Sequence, residues 1–341
     1  MRRWRHGLFG TPLNAVITIA VLALLVWAVP PLVRWALLDA TWTGTADACH
    51  ARSGACWAFI AEKARFITFG FYPQSQQGNE VAALVMMAAL LVASTRPQSW
   101  GGKLVPIWVI GLGLAIAAMA GAPGRHYVST SLWSGVPLTL LMALVALALA
   151  FPIALVLALA RRSRFGLYRT MAVVFIEVVR GVPLVAVLYI ATLLLPLMLP
   201  GGTGIDKLLR TQIMFTIFVA AYMAEIIRGG LQSVPNGQAE AAASLGLGYW
   251  ATLRLVVLPQ ALRTSIPAFV NLAIAVLQDT TLVTVIGLFD FLNTARTATA
   301  DPNWLGFYDE AYVLVAGVYF IACFAGSRYS LALERRLARE G

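Results

Sequence analysis

Eight stretches of the chain are apolar over about the length needed to cross a bilayer: 14–38, 81–96, 104–121, 133–160, 168–198, 209–228, 264–290 and 309–332. In hydrocarbon every backbone N–H and C=O must be satisfied within the segment, so a single apolar stretch of this kind crosses as a helix. The pattern predicts an all-α polytopic membrane protein with about eight transmembrane helices. The second stretch is short, and the fifth is long enough to begin along the membrane surface. Composition agrees, since 12% of the 341 residues are charged and 60% are hydrophobic, against about one quarter charged in soluble domains. Neither a soluble core nor a disordered chain has this balance.

The placement of charge sets an expected orientation. With the N-terminus in the cytoplasm, the inner segments carry 16 cations, from Arg2, Arg3 and Arg5 through the 161–169 and 228–263 groups to Arg339. The outer segments carry 8, and Arg180 lies within a span. That bias satisfies the positive-inside rule and puts both termini in the cytoplasm. The first apolar stretch comes after Met1–His6, which resembles a signal-peptide n-region. The run is longer than an h-region and lacks a clear small-x-small site, so it reads as an uncleaved anchor. The net charge of +10 is therefore a topology signal, and the absence of basic runs interleaved with aromatics argues against nucleic acid.

The longest outer stretch, 39–80, holds Cys49 and Cys56. On an oxidising face they either close a small disulfide loop or remain as two thiols, and spacing alone allows both. Cys323 lies in the last apolar helix, where packing is the expected role. His6, His50 and His126 are scattered, and no paired-Cys or HExxH arrangement occurs, so no metal site is expected. There is no G-x-x-x-x-G-K-[ST] loop to cradle phosphates, no G-x-S-x-G elbow and no TVGYG filter. The chain is not expected to be an enzyme or to hold a cofactor. A pathway former or an assembly scaffold remains.

The loop 229–263 is the most informative segment. Gly229-Gly230 is expected to end the sixth helix, Pro235-Asn236-Gly237 to turn, and Asn236 to cap a new helix over Gln238–Leu245 stopped by Gly246. Ala241-Ala242-Ala243-Ser244 presents a small face that another protein can approach closely, and Glu240 suits the positive end of the helix. A second amphipathic stretch, Trp250–Leu258, runs into Pro259, which is expected to kink or end it. An isolated helix this short is marginal in water and needs a partner surface.

At these residues the chain resembles a known family. Glu240-Ala241-Ala242, three residues, Gly246, nine residues, then Val256-Val257-Leu258-Pro259 is similar to the EAA loop of ABC importer permeases, with Val256 where Ile is usual. The resemblance extends to the polar-amino-acid permeases. It is carried by Tyr222-x-x-Glu225-x-x-Arg228-Gly229-Gly230, by Glu177-x-x-Arg180-Gly181-x-Pro183-Leu184 and by Asp279-Thr280-Thr281-Leu282. It implies a MetI-like type I importer core of five helices over 129–334 and a cytoplasmic tail, 335–341. The remaining 1–128 forms a three-helix extension with the Cys-bearing outer loop, as in the longer M-type subunit of general L-amino-acid transporters. It further implies an inner-membrane permease that moves L-amino acids from periplasm to cytoplasm. Its partners would be a cytoplasmic ATPase dimer carrying ATP and Mg, a second, Q-type permease chain, a periplasmic amino-acid-binding protein and membrane lipid. Glu240, Ala241, Ala242, Gly246, Leu258 and Pro259 would couple it to the ATPase.

Charges inside spans are costly and point to function or to specific pairing. Glu177 and Arg180, at i and i+3, either neutralise each other or line a substrate pathway; Glu225 and Arg228 share that spacing, with pairing favoured. Asp279 lies about twelve residues beyond Pro267, near the expected midplane, with Gln278 where relatives often have Lys. With Thr280 and Thr281 beside it, it meets either a substrate ammonium group or a structural cation. Two other functions compete. An ion- or proton-coupled secondary transporter explains the buried acids but not the ordered loop, and a non-transporting scaffold explains the loop but not the acids.

Overall fold

The computed structural model describes residues 8–96, 102, 104–121, 127–198 and 204–340, with backbone alone at 337–340. The segment Met1–His6, Lys103, Arg125 and His126 lie outside the described residues. Among those described the secondary structure is helical, with two isolated bridges, Thr41 to Cys56 and Gly135 to Asp290. In chain order the helices are α1 (Pro12–Val33), α2 (Ala46–His50), α3 (Trp57–Phe69), α4 (Gln77–Ser94), α5 (Leu104–Ala120), α6 (Gly135–Arg161) and α7 (Gly166–Gly181). After these come α8 (Leu184–Tyr189), α9 (Leu195–Met198), α10 (Lys207–Ser233), α11 (Asn236–Ser244), α12 (Tyr249–Thr252), α13 (Leu258–Asp279), α14 (Phe291–Ala298) and α15 (Tyr308–Glu340).

Among the described residues six helical stretches are long and apolar enough to cross a membrane: Pro12–Leu38, Gln74–Ser94, Gly135–Arg161, Lys207–Ser233, Tyr249–Ile286 and Tyr308–Arg336. A seventh arises if Gly166–Gly181 and Leu184–Met198, bent by 101°, count as one broken span. Leu104–Ala120 is apolar but shorter. The expected stretch 168–198 is thus two helices, because Pro183 pushes Val182 into the extended region (φ −96°, ψ 131°) and the helix cannot pass through it.

Two compact units emerge, one from Met1–Ala64 with Arg296–Leu314, the other from Arg65–Ala295 with Val315–Gly341. In the larger unit α6 packs against α10. Ala143, Ala146, Ala150, Ala154 and Ala158 recur every three or four residues on α6 and are buried. Without a strong hydrophobic drive between helices in lipid, such a small-residue stripe is what lets backbones approach. Phe215, Val219, Ala220, Ala224 and Ile227 of α10 are buried in the same core.

At the start of α6, Gly135 takes φ +70°, donates its N–H to Phe289 O at 2.7 Å, and sits so close to Thr68 O that a Cβ would collide. Beside it, Asp290 is fully buried. Its carboxylate accepts from Thr284 Oγ1 at 2.8 Å and from the N–H groups of Leu292 and Asn293 at the head of α14. Burial still outweighs these bonds and pushes the Asp290 carboxyl up to about 6.

The smaller unit is knitted across long sequence separations. The Cys56 N–H donates to Glu310 Oε1 at 2.8 Å, and Lys63 Nζ meets Asp301 Oδ2 at 2.5 Å. Phe59, Trp304, Phe307 and His50 stack around one another. Cys49 and Cys56 are joined by a disulfide, their Cα atoms 5.5 Å apart.

Candidate functional site

The approach to the loop departs from expectation in one respect. Helix α10 does not stop at Gly229-Gly230 but continues to Ser233. Gly230 instead marks a close approach: a Cβ there would strike Ser265 Oγ and Ala261 O on α13. The glycine serves contact between helices, and α10 runs as one rod to the edge of the loop.

Pro235 then sets the entry to α11. It occupies the N-cap position, and Gln238 N–H bonds its carbonyl at 3.1 Å, so Asn236 is the first helical residue rather than the cap. At the other end Gly246 takes φ +80°, the left-handed conformation that suits glycine. Its N–H bonds Ala243 O at 2.9 Å while Leu247 N–H bonds Ala242 O at 3.1 Å, a Schellman closure. Of the nine α11 residues Ala242 alone is buried; Glu240 and Ala241 are exposed, as are Leu245, Tyr249 and Trp250 beyond it.

Pro259 does not end the helical stretch that contains it, which runs on to Ile286. Leu253–Val257 form a π-helical turn in which Leu258 N–H reaches back to Leu253 O, and Pro259 falls in the first turn of α13. A proline is tolerated there because its missing N–H is not needed. Leu258 and Pro259 therefore open α13 on a stretch continuous from Tyr249.

Close to the loop end of α10 lies a charge cluster spanning three helices. Glu225, its side chain 15% exposed, accepts from Arg161 Nη1 of α6 at 2.7 Å and from Arg228 Nε at 2.9 Å. Arg180 of α7 reaches it at 3.9 Å and lies 5.3 Å from the centroid of the Tyr222 ring. Arg161 also donates to Glu177 of α7 at 3.1 Å. Glu177 and Arg180 thus find partners on other helices instead of each other, whereas Glu225 and Arg228 do pair along their own helix. Sequence reasoning missed Arg161, placing it among loop cations; the signal was its position as the first charge after the apolar run 133–160.

Asp279 is the last residue of α13, and a 3₁₀ turn carries on to Ile286. The helix starts nine residues before Pro267, so a count from Pro267 does not measure depth. Asp279 is half-buried, and none of the ion pairs among the described residues involves it. Thr280 Oγ1 and Thr281 Oγ1 donate to Leu277 O and Gln278 O of their own helix, at 2.6 and 2.8 Å. These protons are not offered to a ligand. Gln278 Nε2 lies 3.4 Å from Cys323 Sγ. Among the described residues no group of three or more His, Cys, Asp or Glu is placed to hold a metal ion.

Residues 150–339 match the family described as binding-protein-dependent transport system inner membrane component. The chain is 42% identical to an inner membrane amino-acid ABC transporter permease of Escherichia coli (strain K12), YhdY, over 97% of this chain and 91% of that one. It is 36% identical to the glutamate/glutamine/aspartate/asparagine transport system permease BztC of Rhodobacter capsulatus, over 99% of this chain and 94% of the relative. Among solved structures it is similar to one described as an amino acid ABC transporter with histidines. The identity is 32% and the TM-score 0.54, covering 59% of this chain and 92% of that chain.

Proposed function

The chain belongs to the family of binding-protein-dependent transport system inner membrane components, and on that premise we propose how its residues serve import. It is the membrane-spanning permease subunit of an amino-acid ABC importer, a protein of the MetI-like type I fold that works in complex with an ATPase.

Helix α11 is the coupling helix, seated in a groove of the cytoplasmic ATPase. One observation carries this reading: a capped helix whose residues are nearly all exposed, leading into exposed Leu245, Tyr249 and Trp250. Apolar groups on a helix too short to stand alone call for a covering partner. Glu240, Ala241, Ala242 and Gly246 form the seated surface and its stop, while Leu258 and Pro259 pass movement into α13. ATP and Mg bind the ATPase dimer, so this chain hydrolyses nothing. A Q-type permease chain completes the pathway, a periplasmic binding protein delivers the amino acid, and both termini of this chain face the cytoplasm in the inner membrane. Along the pathway Glu177 and Arg180 offer one charge of each sign to a zwitterion. Asp279 meets an ammonium group or a partner cation, with Thr280 and Thr281 lining the helix beside it. The Cys49–Cys56 bridge braces the outer loop.

Gly246→Val tests the coupling role. Space around a Cβ at Gly246 is open, so the substitution acts through backbone strain at φ > 0, about 1–2 kcal/mol. The variant should insert normally but co-purify with little ATPase, or bind it without transport, and Glu240→Lys should do the same by reversing charge near the helix N-terminus. Wild-type ATPase recovery and uptake in both variants would remove α11 from the coupling role.

A further inference from the structure

The first span, Pro12–Leu38, is apolar, and none of the α1 residues is buried against the rest of this chain. It ends at Leu38, and within five residues the chain enters a cavity of about 310 Å³ lined by Ala40, Thr41, Trp42, Thr43, Ala48 and Arg52. That nearness to the end of a span puts the cavity at headgroup depth. Three tryptophans mark the same level: Trp35 and Trp42 lie 6.4 and 6.1 Å from Trp57, and Trp57 Nε1 donates to Ala36 O at 2.7 Å. Tryptophan is the side chain enriched where hydrocarbon meets water.

The cavity is built rather than incidental. Thr41 N–H donates to Ala55 O at 2.8 Å and Thr41 O accepts from Ala58 N–H at 3.1 Å, which aligns residues 39–41 with 55–58. Gly54 permits this, because a Cβ there would collide with Asp39 O. The Cys49–Cys56 bridge closes the ring that contains Arg52, and Arg52 N–H bonds Cys49 O at 3.1 Å. Exposed Arg52 of this ring thus lines the same cavity as Thr41 and Thr43. Thr41 is 5% exposed, and its Oγ1 is buried with no hydrogen-bond partner. A hydroxyl without a partner in the wall of a cavity that a cation also lines leaves hydrogen-bonding capacity for an anionic acceptor once the side chain turns inward.

We propose that this cavity binds the phosphate of a phospholipid headgroup, with Arg52 as the cation, Thr41 and Thr43 as hydroxyl donors, and Trp42 against the glycerol region. The bound lipid anchors the outer end of the first span.

The test uses the intact transporter complex purified in neutral detergent and mixed with dioleoylphosphatidylglycerol. Lipids retained per complex are counted by native mass spectrometry. Wild type should retain one lipid more per copy of this chain than Arg52→Gln, whose affinity should fall about tenfold, the loss of one charge-assisted contact. Arg52→Lys should keep part of the binding and reports that the loop still folds. Arg34→Gln, an exposed cation near the same level paired with Asp39 at 3.7 Å, should bind as wild type does. Millimolar inorganic phosphate should not displace the lipid. Equal retention by Arg52→Gln, an equal loss in Arg34→Gln, or displacement by inorganic phosphate would each overturn the proposal, the last by assigning the cavity to a free anion.

Discussion

Glu225 shows how one side chain organises its surroundings. Three arginines from three helices converge on it, and its side chain is 15% exposed. Glu225→Gln keeps the shape but leaves those cations without a shared counter-charge. Breaking a buried pair costs up to ~3–5 kcal/mol, so the purified complex should melt markedly lower, whereas a surface ion pair would shift it little. A double-mutant cycle with Arg161→Met should recover much of the loss, because removing both partners leaves less charge stranded. Asp290 gives a second residue-scale prediction. Folding raises its carboxyl from 3.8 to about 6. Its contribution to stability is therefore fully present below the ordinary value and is lost as pH rises through about 6. The complex should melt higher at pH 5 than at pH 7.5, this group contributing about 1–2 kcal/mol over that interval, and Asp290→Asn should flatten that difference. At this scale the sequence revealed which residues carry charge inside spans but not their partners. Glu177 and Arg180 are neighbours along α7, yet each bonds across to another helix, a choice set by packing that no spacing encodes.

At the scale of elements, turn chemistry was the most legible feature. Gly246 was expected to stop the helix and does, at φ +80°, because a helix stopped by glycine has a specific hydrogen-bonded closure. The two other punctuation signals misled for physical reasons. Gly229-Gly230 reads as a stop, but glycine also serves where two helices touch, and only tertiary contact separates these roles. Pro259 reads as a break, but the helical stretch continues through it behind a π turn. The contact reading of Gly230 is testable. Gly230→Val should force α10 and α13 apart and destabilise the complex by ~1–3 kcal/mol, while Gly229→Ala, with open space around the added methyl, should be neutral or slightly stabilising. Equal effects at the two positions, read by thermal melting, would mean that helix propensity and not contact decides.

For the whole molecule, apolar length and charge balance made the membrane class and the helical fold legible, since hydrocarbon permits few alternatives. The number of crossings was less so: an apolar run does not reveal a 101° bend at Val182-Pro183. The interleaving of Arg296–Leu314 with the first 64 residues was invisible, because it depends on contacts made across more than 200 positions. What unites the scales is α10, which carries the Glu225 cluster and is followed, across Val234 and Pro235, by the exposed helix α11. The central claim is that this chain imports amino acids only when an ATPase drives it through that loop. The direct measurement is uptake of labelled amino acid into proteoliposomes holding the full complex, with and without ATP, before and after ionophores collapse the ion gradients. Uptake should require ATP and survive the ionophores. Uptake that persists without ATP and vanishes with the gradient would contradict the account.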